Sequence, residues 1–223
     1  MREKAVVLLS GGIDSATCLY LAKKLGFSPR CLIFDYGQRH HREISAAKKI
    51  ARGLGCAYSV CKISLPWKGS SLLDKKIKIL PVASHRSQVT SKIPNTYVPA
   101  RNIIFLSFAL SAAEAIGASY IFIGAHTEDY SGYPDCRPEF YRAFQKAAER
   151  GTKAGVEKKA IVIKTPLINK SKAEIIRLGQ SLHVPFELTW SCYRGQKRPC
   201  GSCDSCRYRS RGFHQAGIED PAL

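Results

Sequence analysis

The chain has 223 residues, of which 45% are hydrophobic and 23% charged, and its 35 Lys and Arg residues against 17 Asp and Glu residues give a net charge of +18. These proportions exclude a wholly disordered chain. The length suits one well-buried core with a small appendage and leaves little for a second full domain.

The chain begins with a strand pattern, a glycine-rich loop and a helix pattern in direct succession. These are residues 5–9 (AVVLL), 10–15 (SGGIDS) and 16–26 (ATCLYLAKKLG). Gly11 and Gly12 allow a sharp turn that aims backbone N–H groups at an anion, and the helix adds its positive dipole end. Ser10 and Ser15 supply hydroxyl donors, while Asp14 can hold the loop or meet a metal ion on the phosphates. This order indicates a nucleotide-phosphate site.

Strand and helix patterns alternate along the rest of the chain. Strands are predicted over residues 30–37, 57–63, 119–125 and 160–167, and helices over 41–55, 101–118, 137–151 and 170–183. Residues 64–96, rich in Ser and Lys, are predicted to be a long excursion partly ordered by substrate. Because parallel strands need helical crossovers, the sequence predicts an α/β fold with a five-stranded parallel sheet and helices on both faces. The first strand should be central, with the ligand beyond the carboxyl ends of the strands.

The apolar segments do not predict a membrane anchor. Residues 5–9 are too short for the core of a signal peptide, and the apolar run at 102–115 is interrupted by polar residues and Glu114. We therefore expect a cytoplasmic protein.

Polar residues cluster after the fourth strand, in the segment TEDYSGYPDCRPEF. Its position places Asp129, Asp135, Arg137 and Glu139 near the expected crevice. Asp135 could instead cap the helix that follows. We favour a functional role because a cap needs only one polar residue. For Cys136, packing is a better interpretation than catalysis, since no His stands beside it in the sequence.

Two further segments meet the same crevice. After the second strand, Gln38, Arg39 and His40 could contact a nucleotide or an anionic substrate. In VPARN, Arg101 and Asn102 begin a helix, and a buried Arg there is costly without an anionic partner. Arg101 is therefore the better ligand candidate of the two.

Four of the nine cysteines lie within fifteen residues near the end of the chain: Cys192, Cys200, Cys203 and Cys206. CGSC and CDSC place three sulfurs on a tight loop, and Cys192 can complete a tetrahedron from across a short ribbon. Four thiolates without an open position are typical of structural zinc, although an iron–sulfur cluster uses the same ligand count. The other cysteines are expected to be buried small apolar residues or, for Cys136, to have a packing role.

Six segments together make the chain resemble the 7-cyano-7-deazaguanine synthase family of pyrophosphate-loop ATPases. They are SGGIDS, DYGQRH, VPARN, DYSGYPDCRPEF, TPLINKSKAEI and SCYRGQKRPCGSCDSCRYRSRGF. SGGIDS alone indicates the superfamily, whereas SGYPDCRPEF and the terminal cysteine pattern are specific. We expect catalytic roles for Ser10, Asp14, Ser15, Arg101 and Asp135. The expected ATP-binding residues are Leu8, Leu9, Ser10, Gly11, Gly12, Ile13, Asp14, Ser15, Ala16, Thr17 and Cys18.

The resemblance implies a ligase that converts 7-carboxy-7-deazaguanine, ammonia and ATP into the nitrile precursor of queuosine or archaeosine. It implies a Rossmann-like adenine-nucleotide-hydrolase fold, Mg²⁺ with ATP, one structural Zn²⁺ per chain and a homodimer. We expect a nucleotide-binding domain over residues 1–189 and a zinc-binding segment over 190–223 packed on it. No GxCxG glutaminase-like elbow occurs in the sequence. Free ammonium, or ammonia from another protein, is therefore the expected nitrogen source.

Two alternatives remain open on the sequence. A tRNA thiolase or lysidine-type enzyme of the same superfamily would explain the basic charge, but it should have an RNA-binding domain or a catalytic cysteine pair outside the metal site. A non-enzymatic RNA-binding zinc module would leave SGGIDS without a purpose. The Lys and Arg residues are spread along the chain without interleaved aromatic residues, so direct nucleic-acid binding is not expected.

Overall fold

The structure is a computed structural model that describes residues 2–79, 93–126 and 133–222. Five parallel strands form one sheet in the order β3-β2-β1-β4-β5. The strands are β1 (Lys4–Leu8), β2 (Ser28–Asp35), β3 (Tyr58–Lys62), β4 (Tyr120–Ile123) and β5 (Val162–Lys164). The prediction of a parallel five-stranded sheet with the first strand at its centre is confirmed.

Seven α-helices connect and cover the strands within the described residues. They are α1 (Ile13–Lys24), α2 (Arg42–Gly53), α3 (Arg101–Ile116), α4 (Pro138–Gly151), α5 (Lys153–Val156), α6 (Lys172–Ser181) and α7 (Asp204–Ala216). The first helix begins at Ile13, inside the loop motif, so part of SGGIDS forms the first turn of α1 rather than the turn before it.

The side chains of the central strand alternate between two cores. Ala5 and Val7 pack in a cluster with residues of α1, α2, α6 and α7, whereas Val6 and Leu8 pack in a second cluster with residues of α3 and α4. This alternation follows from the two-residue period of a strand. Helices therefore cover both faces of the sheet, which explains why β1 is hydrophobic along most of its length.

Three features differ from the sequence prediction. The fifth strand is only Val162–Lys164, because the chain turns away from β4 after these residues. Neither α5 nor α7 is predicted by the sequence. The helix α7 was missed because its composition is polar, and it places Cys206 in a helical turn rather than on a loop with the other cysteines.

The long excursion is described in part. Ser71 and Asn95 join its two described parts through a backbone hydrogen bond of 2.9 Å from the Ser71 N–H to the Asn95 carbonyl oxygen. Residues 80–92 lie outside the described residues, as does Asp129, one of the sequence candidates. Among the helices that are described, none has the length and apolar character needed to span a bilayer.

Candidate functional site

A cavity of about 420 Å³ opens at the carboxyl ends of β1, β2 and β4. In the sheet, β2 and β3 lie on one side of β1, and β4 and β5 lie on the other side. The cavity therefore occupies the topological switch point of the sheet, where ligands bind in open α/β folds. The predicted position of the ligand crevice agrees with this geometry.

The loop after β1 forms one wall of the cavity. The hydroxyls of Ser10 and Ser15 lie 2.9 Å apart, and the Ser10 N–H donates to Ser15 Oγ at 3.2 Å. The Ser15 hydroxyl also lies 3.1 Å from the Gly12 carbonyl oxygen. These contacts close the loop into a ring at the positive end of α1. Such a ring is preorganised to receive an anion.

Two glycines allow the loop to pack this closely. Gly11 has φ +89°, and a Cβ atom there would collide with the Glu43 carbonyl oxygen of α2. A Cβ atom on Gly124, at the end of β4, would lie 2.7 Å from the Asp14 carbonyl oxygen. The loop is thus clamped between α2 and β4, and a larger side chain at either glycine would displace it.

Asp14 binds Lys172 across the cavity. Lys172 Nζ donates to both carboxylate oxygens of Asp14, at 2.8 and 2.9 Å, and it lies 3.2 Å from His126 Nε2. Burial would raise the pKa of the Asp14 carboxyl, but the Lys172 ammonium and His126 hold it well below its usual range. Asp14 is therefore an anion that a cation on another element fixes in place.

Lys172 reaches Asp14 because of its own surroundings. It is the first residue of α6, whose N-terminus carries a capping box between Ser171 and Glu174. Its aliphatic stem passes beside Gly212 of α7, where a Cβ atom would collide with Lys172 Cγ. The C-terminal helix thus leaves room for the lysine that holds the phosphate loop.

The opposite part of the cavity is aromatic and contains the partly buried side chain of Arg101. Phe34 and Phe105 stack with ring centroids 4.0 Å apart, and Tyr36 packs edge-on against Phe105. The Arg101 guanidinium donates to the Tyr36 hydroxyl at 3.4 Å, and Tyr133 also lines this part. The combination fits a flat ring that bears an anionic substituent.

Asp135, an expected catalytic residue, lies beside the start of α3. It is buried outside the cavity lining, and its carboxylate accepts a hydrogen bond of 3.0 Å from the Asn102 N–H in the first turn of α3. The Asn102 side chain donates to the Asp135 carbonyl oxygen and to Cys136 Sγ. Asp135 therefore caps α3 and does not cap α4, the helix that follows it in the sequence. Because Arg101 lies at the start of α3, this cap also fixes the position of Arg101.

The candidates after β2 hold the backbone and do not line the cavity. Gln38 accepts from the Tyr36 N–H at 2.8 Å and donates to the Phe34 carbonyl oxygen at 3.2 Å. Arg39 donates to the carbonyl oxygens of Ser71 and Lys75. His40 packs against Gly195 and Trp190. The expectation that Gln38, Arg39 and His40 contact a ligand is therefore not met in this geometry.

Of the other candidates after β4, Arg137 lines the cavity and Glu139 is exposed in the first turn of α4.

Lys172 and Glu43 are among the cavity residues that the sequence did not predict. Lys172 lies inside the quoted segment TPLINKSKAEI, and its capping box was the available signal. Glu43 lies in the first turn of α2, where it reads as an ordinary favourable charge at a helix N-terminus. Only the fold brings Glu43 against the loop and opposite Arg101. There, burial raises the pKa of the Glu43 carboxyl to about 7, although Arg101 and a hydrogen bond from Gln38 both act to lower it.

The four predicted cysteine ligands come together. Their Sγ atoms all lie within 4.8 Å of one another, and the Sγ atoms of Cys200 and Cys206 are 4.0 Å apart. The backbone N–H groups of Arg194 and Cys200 point to Cys192 Sγ at 3.4 Å. Four converging sulfurs, one of which accepts two N–H donors, are compatible with a site for a thiophilic metal.

Comparisons with known proteins cover almost the whole chain. Residues 4–217 match the family model described as queuosine biosynthesis protein QueC. A 7-cyano-7-deazaguanine synthase of Dechloromonas aromatica is 52% identical, covering 100% of this chain and 99% of that protein. A protein of the same name from Trichodesmium erythraeum is 50% identical, covering 99% of this chain and all of the relative.

Solved structures are similar at lower identity. An NMN synthetase from Francisella tularensis is 18% identical with a TM-score of 0.50, covering 98% of this chain and 88% of that one. A 4-thiouridine synthetase in an RNA complex with bound ATP is 19% identical with a TM-score of 0.53, covering 96% of this chain and 50% of that one. These similarities support the fold alone.

Proposed function

The chain belongs to the queuosine biosynthesis protein QueC family, and from that premise we propose that it converts 7-carboxy-7-deazaguanine, ammonia and ATP into 7-cyano-7-deazaguanine. One observation supports this proposal above the others. A single cavity joins an anion-binding loop to an aromatic pocket that contains Arg101. A substrate with a flat ring and a carboxylate can thus meet the α-phosphate of ATP within one cavity.

Adenylation of the carboxylate is the first reaction. A carboxylate oxygen attacks the α-phosphorus of ATP, and pyrophosphate leaves. The backbone N–H groups of the loop and the hydroxyls of Ser10 and Ser15 are suited to stabilise the charge that develops on the pyrophosphate. Ammonia then displaces AMP to give the amide. A second adenylation, now on the amide oxygen, allows loss of AMP and formation of the nitrile.

Asp14 and Lys172 are the charged pair that ATP would meet. The phosphates can attract the Lys172 ammonium, which releases the Asp14 oxygens. Asp14 is then an oxygen ligand of the type that magnesium prefers. A magnesium ion held there with ATP would neutralise part of the phosphate charge. The chain's own contribution is one cation and one carboxylate in direct contact beside the loop, with Lys172 Nζ 2.8 Å from Asp14 Oδ1.

Arg101 is our candidate for holding the substrate carboxylate, and Tyr36, Phe105 and Tyr133 are our candidates for contacting the deazapurine ring. A bidentate guanidinium orients a carboxylate well. Asp135 would act through Arg101, because it caps the helix on which Arg101 lies. Most of the rate enhancement should come from such positioning and electrostatics, since no covalent enzyme intermediate is required.

We propose that the four cysteines hold one structural zinc ion. With Zn–S bonds of about 2.3 Å, tetrahedral geometry separates the sulfurs by about 3.8 Å. The observed cluster, with all Sγ atoms within 4.8 Å, is compatible with this size. A [4Fe–4S] cluster binds each thiolate to a different iron, and a [2Fe–2S] cluster binds the thiolates in two pairs on two irons, so either cluster spreads the four sulfurs farther apart than one ion does. The donor set and spacing therefore favour a single ion.

Several finer properties stay proposals: a homodimer, a cytoplasmic location, and a division of the chain at residues 189 and 190. Ile103 and Phe108 of α3 are each 43% exposed, which leaves two large apolar side chains that a second copy could cover. The thiolase or lysidine-type alternative is set aside, because the family match extends over nearly the full chain.

The test is a defined reaction. Purified protein is mixed with ATP, magnesium, ammonium and 7-carboxy-7-deazaguanine, and the products are followed by mass spectrometry. We expect the amide and then the nitrile, with release of AMP and pyrophosphate. Absence of the nitrile from metal-loaded protein that binds ATP would overturn the proposed function.

A further inference from the structure

Two acidic side chains line the cavity among the described residues, Asp14 and Glu43. Asp14 is already bound to Lys172 through both oxygens. Glu43 lies at the base of the cavity, directly behind the phosphate loop, since its backbone carbonyl contacts Gly11. Its carboxyl group faces Arg101, our candidate for holding the substrate carboxylate.

The surroundings fix the Glu43 carboxyl group. Gln38 hydrogen-bonds to it, and the Gln38 side chain is itself buried and held by the backbone of Tyr36 and Phe34. One N–H of the Gln38 amide is used by the Phe34 carbonyl oxygen, and the other is available for Glu43. The carboxyl group thus has a rigid neutral donor on one side.

The charged and titratable groups facing Glu43 are few. Arg101 approaches from α3 and favours the carboxylate, and the Tyr36 hydroxyl lies on the β2 side. Burial has the larger effect and raises the pKa of Glu43 to about 7. A carboxyl group that titrates near neutrality can both take and release protons at working pH.

The reaction needs such a group twice. When ammonium becomes the amide, its nitrogen loses two protons while the C–N bond forms and the C–O bond to AMP breaks. In the second round the adenylated amide nitrogen loses two more protons. The electron pairs of the N–H bonds become the C≡N bond, and the C–O pair leaves with AMP.

We propose that Glu43 is the catalytic proton acceptor for nitrogen in both rounds, with Gln38 as its positioning residue. This inference rests on the proposed function. Each proton passes from the substrate nitrogen to the Glu43 carboxylate and then to water. Other described groups near the site are less suited: Asp135 caps α3, His126 contacts Lys172, and Asp14 is our candidate ligand for the magnesium ion that accompanies ATP.

The experiment separates proton transfer from adenylation. The isolated amide is supplied with ATP and magnesium, so that ammonia is not needed and its own ionisation does not affect the pH profile. Nitrile formation is measured from about pH 5.5 to about pH 9, a range that brackets neutrality. The proteins compared are the wild type, Glu43→Gln, Glu43→Asp and the exposed control Glu157→Gln. Pyrophosphate release from ATP and 7-carboxy-7-deazaguanine without ammonium is measured in parallel.

We expect Glu43→Gln to retain pyrophosphate release but to lose nitrile formation about 100-fold or more, and to lose the rise in rate through neutral pH. Glu43→Asp should restore part of the rate with a displaced pH profile, and Glu157→Gln should match the wild type. An unchanged profile in Glu43→Gln, or equal losses of pyrophosphate release and nitrile formation, would overturn the role of Glu43. If Glu43→Gln does not fold, an unchanged profile in Glu43→Asp overturns it. Absence of nitrile from the wild type would instead count against the proposed function.

Discussion

The backbone N–H of Trp190 donates a hydrogen bond of 2.9 Å to the carbonyl oxygen of Gly11. Trp190 lies two residues before Cys192, and its indole N–H donates to the Cys192 carbonyl oxygen at 2.9 Å. The cysteine segment is therefore attached directly to the phosphate loop. Metal binding and nucleotide binding should be coupled through this contact.

Metal loss should weaken ATP binding as well as the local fold. Cys203→Ser removes one of four thiolates, so we expect the protein to lose its metal ion, to melt several degrees lower and to bind ATP several-fold more weakly. Metal content, melting temperature and ATP titration check these outcomes. The matched control is Cys61→Ser on β3, outside the cluster. A metal-free Cys203→Ser protein with wild-type stability and activity would contradict the structural role of the metal.

Lys172→Met should remove turnover without unfolding the protein. The substitution keeps the aliphatic stem beside Gly212 but deletes the ammonium that binds Asp14, so we expect kcat to fall about 100-fold or more. Steady-state kinetics and circular dichroism measure the two effects. Lys153→Met on exposed α5 is the same substitution without the contact and should behave as wild type. Equal kinetics in the two variants would show that Lys172 does not act in the site.

Substitutions of Asp14 and Ser10 test whether the loop acts in catalysis or in folding. Because both side chains face the cavity rather than the core, Asp14→Ala and Ser10→Ala should lose turnover while keeping a cooperative melting transition. Differential scanning calorimetry and the nitrile assay distinguish the two properties. Loss of cooperativity in both variants would assign the loop a mainly structural role.

The parts of the fold that the sequence predicts are those with a strong local pattern. AVVLL and the alternation of strands and helices specify the sheet, and Gly11 and Gly12 specify the turn after β1. The helix α7 was missed because few of its residues are apolar, and its position depends on packing against α6.

The site divides in the same way. SGGIDS and the four cysteines are local motifs, and the structure brings the members of each together. Glu43, Lys172 and Tyr36 become cavity residues only because distant segments converge on one end of the sheet. Such long-range proximity has no local signature in the sequence. Asp135 is the opposite case, because its motif draws attention to it as a candidate, but its carboxylate caps a helix that is distant in the sequence.

The wild type should lose stability relative to Glu43→Gln as the pH rises from 5 to 8. The pKa of Glu43 is about 7 in the folded protein and 4.5 for the unperturbed group, so the folded state binds more protons between these values. The stabilisation by the protonated carboxyl is complete below pH 4.5 and disappears as the pH rises through 7. We expect the difference in unfolding free energy to change by about 2 kcal/mol after allowance for the solvent-facing part of the group. Urea titrations at several pH values measure it, and a constant difference would contradict the raised pKa.

Gly212→Ala should destabilise the protein, whereas Gly53→Ala should not. A Cβ atom on Gly212 would collide with Lys172 Cγ and lie 3.0 Å from Ile176, but one on Gly53 would meet open space. Overpacking between α6 and α7 is expected to cost about 1–3 kcal/mol. Chemical denaturation compares the two substitutions, and activity should fall only in Gly212→Ala because Lys172 is displaced. Similar stability and activity in both variants would show that the two helices separate freely.

Arg209→Met should cause the largest loss of stability. Arg209 forms a bidentate pair with Asp220, at 2.7 and 2.8 Å, and also donates to Thr189 and Phe186. These contacts join α7 to the last residues of the chain and to the segment before the cysteines. Removing one partner leaves Asp220 as a buried charge, which costs about 3–5 kcal/mol.

A double-mutant cycle identifies the origin of that loss. Arg209→Met with Asp220→Leu removes both charges and should recover part of the stability, because no unpaired carboxylate remains. Arg211→Met on the same helix replaces an exposed arginine and should change the free energy of unfolding by less than about 0.5 kcal/mol. If the double variant is no more stable than Arg209→Met, the loss arises from packing and from the hydrogen bonds to Thr189 and Phe186 rather than from the unpaired charge.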